Sequence, residues 1–271
     1  MIRLVCADVD GTLVGANGAV HPSIWPAAAR ARDAGLELAL CSGRPAFGLA
    51  REYADRLAPD GWHVFQNGSS VVHPATGEAR SSYLTPDTVK ALVQRARETG
   101  RVLELYSDFE FVVEVDSPHT RAHADLLGVP FVARPFESLM SRVVRGQWLL
   151  TREESETVLA EPHPGVYVSP STSPVMPETI FVALLTPGVD KSTGVRTIVE
   201  QYGVALDEVM FVGDSWNDAP ALNVVGFPVA MGNAEPELRA SAREVVGDVD
   251  EGGLAQALDL AVALRRGNGE R

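Results

Sequence analysis

IRLVCADVDGTL, residues 2–13, is the stretch of sequence that decides the fold of this chain. Residues 2–7 are almost continuously apolar, and Asp8 follows them directly. A short apolar run of this kind, ending in a polar loop, is typical of a strand buried on both faces of a parallel sheet. The stretch therefore predicts a first strand over residues 2–7 with an acidic loop at its carboxyl end.

The pattern of strand, loop and helix continues after this first strand. A helical pattern over residues 22–34 stops at Gly35, and LELALC (36–41) predicts a second buried strand. Ser42-Gly43-Arg44-Pro45 predicts the start of a helix that runs to residue 57, and HVFQ (63–66) predicts a third strand. Such alternation predicts an α/β fold with a doubly wound parallel sheet.

The pattern changes after Asn67-Gly68, where short apolar runs at 102–107 and 111–116 predict an antiparallel hairpin. Other strands of this part are predicted at 143–150, 166–169 and 179–185, and helices at 86–99, 119–127 and 153–160. Helix and strand alternate again at 192–202, 209–212, 216–223, 227–230 and 251–265. We therefore predict a discontinuous core, 1–81 and 187–271, with an α+β domain inserted at 82–186.

Composition limits the possible classes of protein. Hydrophobic residues make up 45% of the 271 residues and charged residues 22%, which is ordinary for a folded soluble protein. The net charge of −13 argues against binding to nucleic acid or to an anionic membrane. Cys6 and Cys41 lie in apolar runs, which favours buried thiols in a reducing cytoplasm. We expect a cytoplasmic protein without a signal peptide or membrane span, and the sequence leaves its oligomeric state open.

The acidic loop after the first predicted strand contains Asp8 and Asp10. The carboxyl ends of parallel strands are where α/β sheets bind ligands, and Mg²⁺ prefers oxygen ligands beside substrate phosphate. Asp8 is therefore a candidate nucleophile and metal ligand, with Asp10 as general acid and base. An ordinary Asp-Gly surface turn is the alternative.

Ser42-Gly43-Arg44 and Lys191 are the second and third candidate segments. The Ser42 hydroxyl and the amides of a helix start could bind phosphate oxygens, and the Lys191 ammonium could balance the phosphate charge. A simple helix cap and a solvent-exposed lysine are the alternatives for these two segments.

GDSWND (213–218), after the apolar run VMFV, is the fourth segment. Asp214 is a candidate metal ligand, and Asn217 can donate to a phosphate oxygen. Asp218 either completes the metal shell through a water molecule or holds Lys191. A capped helix entrance is the alternative for Asp214, but four such segments together favour one shared phosphate site.

Together these motifs resemble those of the haloacid dehalogenase-like (HAD) hydrolase superfamily, and within it the Cof-type, subfamily IIB phosphatases with a C2B cap. DVDGTL (8–13), CSGRP (41–45), DKSTG (190–194) and GDSWND (213–218) match its four motifs in order, and QNGSS (66–70) is similar to a segment that precedes the cap. The resemblance implies a HAD-like, Rossmann-type core with 82–186 as an inserted cap.

The resemblance also implies roles for individual residues. Asp8 is the expected nucleophile and Asp10 the acid and base; the expected phosphate ligands are Ser42, Gly43, Lys191 and Asn217. Mg²⁺ is the implied cofactor, held by Asp8, Asp214 and the backbone carbonyl of Asp10, and the supporting residues are Thr12, Arg44 and Asp218. An aspartate at position 10 favours phosphatase over dehalogenase chemistry in this family.

The cap sequence gives no motif for a substrate. Arg121, His119 and His123 lie on a predicted helix and are expected at solvated positions rather than in a pocket. Trp148 and Tyr167 are expected in the core of the cap rather than on a sugar-stacking platform.

We therefore expect a phosphatase that acts on a small phosphorylated metabolite, with a sugar phosphate favoured by the resemblance. A phosphosugar mutase of the same fold, which returns the phosphoryl group to a sugar, is one alternative. A module that binds a phosphorylated metabolite without turnover is the other.

Overall fold

A computed structural model describes residues 1–173 and 175–266. The contacts of the chain divide it into two compact units. The first comprises Met1–Arg44, Ala50–Arg80 and the described chain from Asp190 onward, and the second comprises Pro45–Leu49 and Ser81–Val189. Residues 267–271 of the predicted core lie outside the described residues. The assignment of 82–186 as a cap stays a prediction.

The elements of the described chain are numbered in order. Strands β1 to β13 cover Leu4–Ala7, Glu37–Leu40, His63–Phe65, Ser70–His73, Glu78–Ala79, Val102–Tyr106, Phe111–Val113, Arg145–Leu150, Tyr167–Ser173, Met176–Leu185, Val209–Gly213, Phe227–Ala230 and Glu244–Val245. Helices α1 to α9 cover Ile24–Asp33, Leu49–Leu57, Pro86–Thr99, Pro118–Leu127, Arg152–Ala160, Lys191–Tyr202, Ala219–Leu222, Pro236–Ser241 and Gly253–Arg266. Within residues 1–173 and 175–266, no helix has the length and apolar character needed to cross a lipid bilayer.

The first unit is built on a five-stranded parallel sheet in the order β13-β12-β11-β1-β2. β1 is buried along its whole length and pairs in parallel with both β11 and β2. This burial explains the apolar run in the sequence, because a central strand of a parallel sheet is covered on both faces. This sheet confirms the predicted α/β fold class and places the carboxyl ends of β11, β1 and β2 at one edge.

Helices cover this sheet. Leu4 and Cys6 of β1 share an apolar cluster with Phe211 of β11 and with Val195 and Ile198 of α6. Helices α1 and α9 pack against each other and contact β2 and β1, respectively. The apolar side of α6 is thus fixed against the sheet, and its first turn is held near the sheet edge.

The strand predicted at 63–66 does not continue the parallel sheet as a full member. β3 pairs antiparallel with β4, which pairs with β5, and a single parallel bridge from Val64 to Cys41 links β3 to the segment after β2. The chain reverses between β3 and β4 in a 3-10 turn over Gln66–Gly68. This turn lies beside the candidate site described below.

The helix predicted to open at Ser42 begins only at Leu49, so that prediction was wrong. Residues 45–49 belong instead to the second unit, where the ring of Phe47 stacks on Phe111 at 6.1 Å between centroids. Gly48 has a φ of +61°, and a Cβ on it would lie 2.0 Å from the carbonyl oxygen of Leu127. These contacts with residues distant in sequence keep the segment from continuing as a helix.

The second unit contains a five-stranded sheet in the order β7-β6-β8-β10-β9, and each neighbouring pair is antiparallel. The hairpin predicted at 102–116 is present as β6 and β7. Leu103, Trp148 and Val182 on one face of the sheet share a core with Leu92 of α3 and Val158 of α5. This apolar core holds the sheet and its two helices together.

The expected core positions of the second unit differ in outcome. Trp148 is 1% exposed in the core, as predicted, whereas Tyr167 is 54% exposed. The prediction for Tyr167 was wrong because this residue begins β9, a strand at the edge of the sheet.

His119, Arg121 and His123 of α4 differ in their exposure to solvent. Arg121 is exposed and pairs with Asp116 at 2.6 Å, as expected for a solvated position. His119 is partly buried and contacts the Thr179 hydroxyl at 2.9 Å. His123 is only 4% exposed and lies 2.8 Å from Oε1 of the buried Glu104, so its expected exposure was wrong. Helical spacing alone gave no sign of this buried partner.

Candidate active site

The predicted site segments come together at the carboxyl edge of the parallel sheet. Asp8 directly follows β1, Asp214 directly follows β11, and Ser42 lies two positions after β2. Lys191 is the first residue of α6, where the side chain of the capping Asp190 accepts hydrogen bonds from the backbone amides of Ser192 and Thr193. A capped helix start therefore fixes the backbone from which Lys191 reaches the sheet edge.

Lys191 joins two of the candidate carboxylates. Its Nζ lies 2.7 Å from Oδ1 of Asp8 and 2.6 Å from Oδ1 of Asp218, and its side chain is fully buried. Burial alone would lower the pKa of Lys191, but the charges of Asp218 and Asp8 outweigh burial and raise this pKa above its ordinary value. Lys191 is therefore a buried ammonium, and the alternative of a solvent-exposed lysine is wrong.

Asp8 lies in a crowded acidic environment. Burial and the charge of Asp218 raise the pKa of Asp8 well above its ordinary value, while the charge of Lys191 opposes this rise. Asp8 is 3% exposed, so little water reaches the carboxylate. A poorly solvated carboxylate beside a single ammonium is suited to attack an electrophile, because few water molecules must be removed from it.

Asp214 completes a cluster of carboxylates. One ligand oxygen each from Asp8, Asp214 and Asp218 lies within 4.8 Å of the others. Burial and the charge of Asp218 raise the pKa of Asp214 to about 7, although a hydrogen bond from the Thr12 hydroxyl lowers it. An all-oxygen set whose members repel one another fits a hard divalent cation such as Mg²⁺.

Gly11 makes room for this carboxylate. Its φ is +84°, and a Cβ at this position would lie 2.2 Å from Oδ2 of Asp214. A side chain on residue 11 would therefore displace Asp214 as well as strain the backbone. The glycine of the Asp-Gly pair, which the sequence alone would allow in an ordinary turn, is required by this close approach.

Asp218 uses both of its oxygens within the protein. Oδ1 accepts from Lys191, and Oδ2 accepts from the backbone amides of Asp214 and Ser215 at 3.0 and 3.1 Å. The contact with Lys191 is one of the two roles that the sequence left open for Asp218, and the role in the metal shell stays a prediction.

Asp10, unlike the buried carboxylates, is exposed and pairs with Arg44. Its carboxylate forms a bidentate pair with Arg44, with Nε to Oδ2 at 3.0 Å and a terminal nitrogen to Oδ1 at 2.5 Å. The side chain of Asp10 is 61% exposed, and that of Arg44 is 26% exposed. Arg44 thus holds an accessible carboxylate in one orientation.

Ser42 is fully buried, and its hydroxyl oxygen accepts a hydrogen bond from the backbone amide of Arg44 at 3.1 Å. The backbone amide of Ser42 donates to Val64 at 2.9 Å, which ties the loop to β3. The alternative of a helix cap is wrong for Ser42, because α2 begins seven positions later.

The resemblance in the motifs extends to nearly the whole chain. The family model of the haloacid dehalogenase-like hydrolases matches residues 5–258. This chain belongs to the haloacid dehalogenase-like hydrolases. It is a phosphatase of the HAD type, since relatives that align over most of its length are named phosphatases.

Relatives and solved structures agree with this HAD assignment. The HMP-PP phosphatase of Cronobacter sakazakii is 24% identical over 255 residues, which are 89% of this chain and 88% of the relative. The structure of the HAD subclass IIB sugar phosphatase BT4131 is 25% identical, has a TM-score of 0.76, and is matched over 95% of this chain and 98% of its own. A haloacid dehalogenase-like hydrolase from Bacteroides thetaiotaomicron gives a TM-score of 0.83 at 24% identity, covering 96% and 99% of the two chains.

Asn217 and Asn67 add an amide pair to the HAD site. Asn217 is exposed, and its Nδ2 donates to Oδ1 of Asn67 at 3.4 Å. Asn67 lies in QNGSS (66–70), which the sequence indicated as a family segment without giving this residue a role. The available signal was the polar Gln-Asn-Gly run directly after an apolar strand.

Proposed function

We propose that this HAD phosphatase is a magnesium-dependent phosphomonoesterase that hydrolyses a small phosphorylated metabolite through an aspartyl-phosphate on Asp8. The observation that carries the proposal is the fully buried Lys191 ammonium, 2.7 Å from Asp8 and 2.6 Å from Asp218. The ammonium balances the charge of the Asp8 carboxylate. It contacts only Oδ1 of Asp8, so the other oxygen of this nucleophile does not bond to the lysine.

Asp8, Asp214 and the backbone carbonyl of Asp10 would hold the Mg²⁺. When bound, the ion supplies positive charge that neutralises phosphoryl oxygens and the clustered carboxylates. The raised pKa of Asp214, about 7 because of burial and the charge of Asp218, supports this assignment, since a nearby cation would favour the ionised form.

In the first step, an oxygen of Asp8 forms a bond to phosphorus as the bond from phosphorus to the leaving oxygen breaks. The carboxyl form of Asp10 gives its proton to that leaving oxygen. In the second step, the carboxylate form of Asp10 takes a proton from water, whose oxygen attacks phosphorus. Inorganic phosphate leaves, and Asp8 and Asp10 return to their starting forms. Arg44 orients Asp10 for both transfers through the bidentate pair.

The test of the chemistry is Asp8→Asn, assayed with p-nitrophenyl phosphate and Mg²⁺. We expect kcat/KM to fall by at least about 10³-fold, because the amide is a far weaker nucleophile than the carboxylate. Asp55→Asn is the matched control, since Asp55 pairs with Arg51 on the surface of α2. Acid quenching during turnover of ³²P-labelled substrate should leave label on the wild-type protein and none on Asp8→Asn. Retained magnesium-dependent turnover by a folded Asp8→Asn protein would sink the mechanism.

The substrate class rests on similarity to named relatives. We propose a sugar phosphate, because BT4131, whose structure is described as a sugar phosphatase, aligns over 95% of this chain. A panel of sugar phosphates, nucleotides and pyrophosphorylated compounds, ranked by kcat/KM, tests this choice. A pyrophosphorylated compound ranking well above all sugar phosphates would contradict it.

A further inference from the structure

The backbone of the turn between β3 and β4 is unusual for its residue types. Gln66 and Asn67 have φ values of 51° and 54°, in the left-handed region that favours glycine. Asn tolerates this conformation better than other residues with a side chain, but glycine adopts it most readily. The side chain of Asn67 is therefore the feature that distinguishes this residue from a glycine in the same conformation.

The backbone of the turn contacts two of the segments that form the candidate site. The backbone amides of Gln66 and Asn67 donate to the carbonyls of Arg44 and Ser42 at 2.9 and 3.0 Å. On its other side, Gly68 lies so close to the chain that a Cβ would be 1.9 Å from the carbonyl oxygen of Asp190. The turn is thus held against the serine loop and against the start of α6.

The side chain of Asn67 lies between Gly43 and Asn217. A Cβ built on Gly43 would be 3.1 Å from Oδ1 of Asn67 and 3.4 Å from its Nδ2. Oδ1 of Asn217 accepts from the Ser215 hydroxyl at 2.7 Å, so its Nδ2 is the group that donates to Oδ1 of Asn67. In the described part of the chain, no acceptor takes a hydrogen bond from Nδ2 of Asn67. The two N–H groups of Asn67 Nδ2 therefore lie beside two of the predicted phosphate ligands, Gly43 and Asn217.

We propose that Asn67 is a phosphate-positioning residue whose Nδ2 donates a hydrogen bond to a non-bridging oxygen of the substrate phosphoryl group. This inference rests on the proposed phosphatase function. The Asn217 contact orients the Asn67 amide, and the left-handed backbone places it beside Gly43. The turn is a fifth segment of the site.

Two substitutions separate the amide from the backbone. Asn67→Gly keeps the left-handed conformation and removes the side chain. Asn67→Asp also tolerates this conformation and can still accept from Asn217, but it has no donor and carries a negative charge. Inorganic phosphate is the probe, with its Kd measured by calorimetry on the full-length protein with Mg²⁺ and its Ki measured against p-nitrophenyl phosphate.

We expect Asn67→Gly to keep or raise the thermal midpoint while raising the Kd for phosphate about tenfold, the usual effect of losing one hydrogen bond. Asn67→Asp should weaken phosphate binding more than Asn67→Gly, because it adds charge repulsion. If Asn67→Gly fails to fold, the Kd and Ki of Asn67→Asp serve as the test, and wild-type values for this variant overturn the inference.

A folded Asn67→Gly variant with a wild-type Kd and Ki overturns the inference and leaves Asn67 as a turn-forming residue. The inference is also overturned if neither the wild-type protein nor Asn67→Gly binds phosphate. Failure of the proposed function has a different signature, namely wild-type protein that hydrolyses no phosphate ester or an active Asp8→Asn variant.

Discussion

Replacing Lys191 with Met removes the buried ammonium between Asp8 and Asp218 while nearly conserving side-chain volume. Lys191 is fully buried, and the two carboxylates that it contacts are also almost completely buried. An unbranched, flexible Met can fill the space left by the lysine stem. The substitution therefore tests charge balance in the site more than packing.

The magnitude follows from the contact distances. At 2.7 Å from Asp8, an ammonium and a carboxylate attract by about 6 kcal/mol at an effective dielectric constant of about 20. Desolvation offsets much of this attraction, and removing one partner of a buried pair usually costs about 3–5 kcal/mol. Lys191→Met leaves two carboxylates without their partner, so we expect the free energy of unfolding to fall by at least about 3 kcal/mol.

The only other lysine of the sequence provides a matched control. Lys90 is exposed and lies 3.9 Å from Asp87, so Lys90→Met should change the free energy of unfolding by less than about 0.5 kcal/mol. Urea unfolding of EDTA-treated proteins, followed by far-ultraviolet circular dichroism, measures both changes. Adding Asp218→Asn to Lys191→Met should restore part of the loss, because one of the two buried charges disappears. A loss below about 1 kcal/mol for Lys191→Met would refute the claim that this ammonium balances the site.

Two other predictions concern buried polar groups outside the site. Burial lowers the pKa of His63 to about 4, and its Nδ1 accepts a hydrogen bond from the Leu40 amide. As pH falls, the unfolded state is protonated before the folded state. The neutral imidazole therefore contributes stability above pH ~6.5, and this contribution is lost toward pH 4. Between pH 7 and pH 4, wild-type protein should lose about 3 kcal/mol more unfolding free energy than His63→Asn, and equal losses in urea titrations would contradict this. Glu104→Gln places an amide donor among the donors around this buried carboxylate, including His123, and should lower unfolding free energy by about 2–3 kcal/mol. Exposed Glu98→Gln should change it by less than about 0.5 kcal/mol, and an equal effect of the two variants would contradict the prediction.

The sequence predicted the strands that carry the site because their patterns have a local cause. Residues 4–7 and 209–213 are apolar on both faces, and both segments are central strands of the parallel sheet. The polar groups that follow them must lie at the same edge of the sheet. Asp8 and Asp214 could therefore be placed together from sequence alone.

Other features depend on contacts between residues distant in sequence. The predicted helix at Ser42 is displaced by Phe47, which stacks on Phe111, and α2 starts only after that contact. His123 is buried, and its Nδ1 lies 2.8 Å from Oε1 of the buried Glu104, on a strand nineteen positions earlier. Neither partner shares a periodic pattern with the residue that it affects, so periodicity could not identify them.

The charges of the site connect composition with chemistry. The sequence has only two lysines, and the buried one faces Asp8 and Asp218 while Asp214 lies within 4.8 Å of both carboxylates. One ammonium against three carboxylates leaves two negative charges when all of them are ionised. Burial, together with this excess of negative charge, raises the pKa values of Asp8 and Asp214. A phosphate dianion would add two more negative charges, so we expect a divalent cation to enter before or with the substrate. Arg44 cannot supply the missing charge, because its guanidinium is already paired with Asp10. The charge balance therefore supports Mg²⁺ as part of the proposed phosphatase, and we expect substrate binding to depend on this ion.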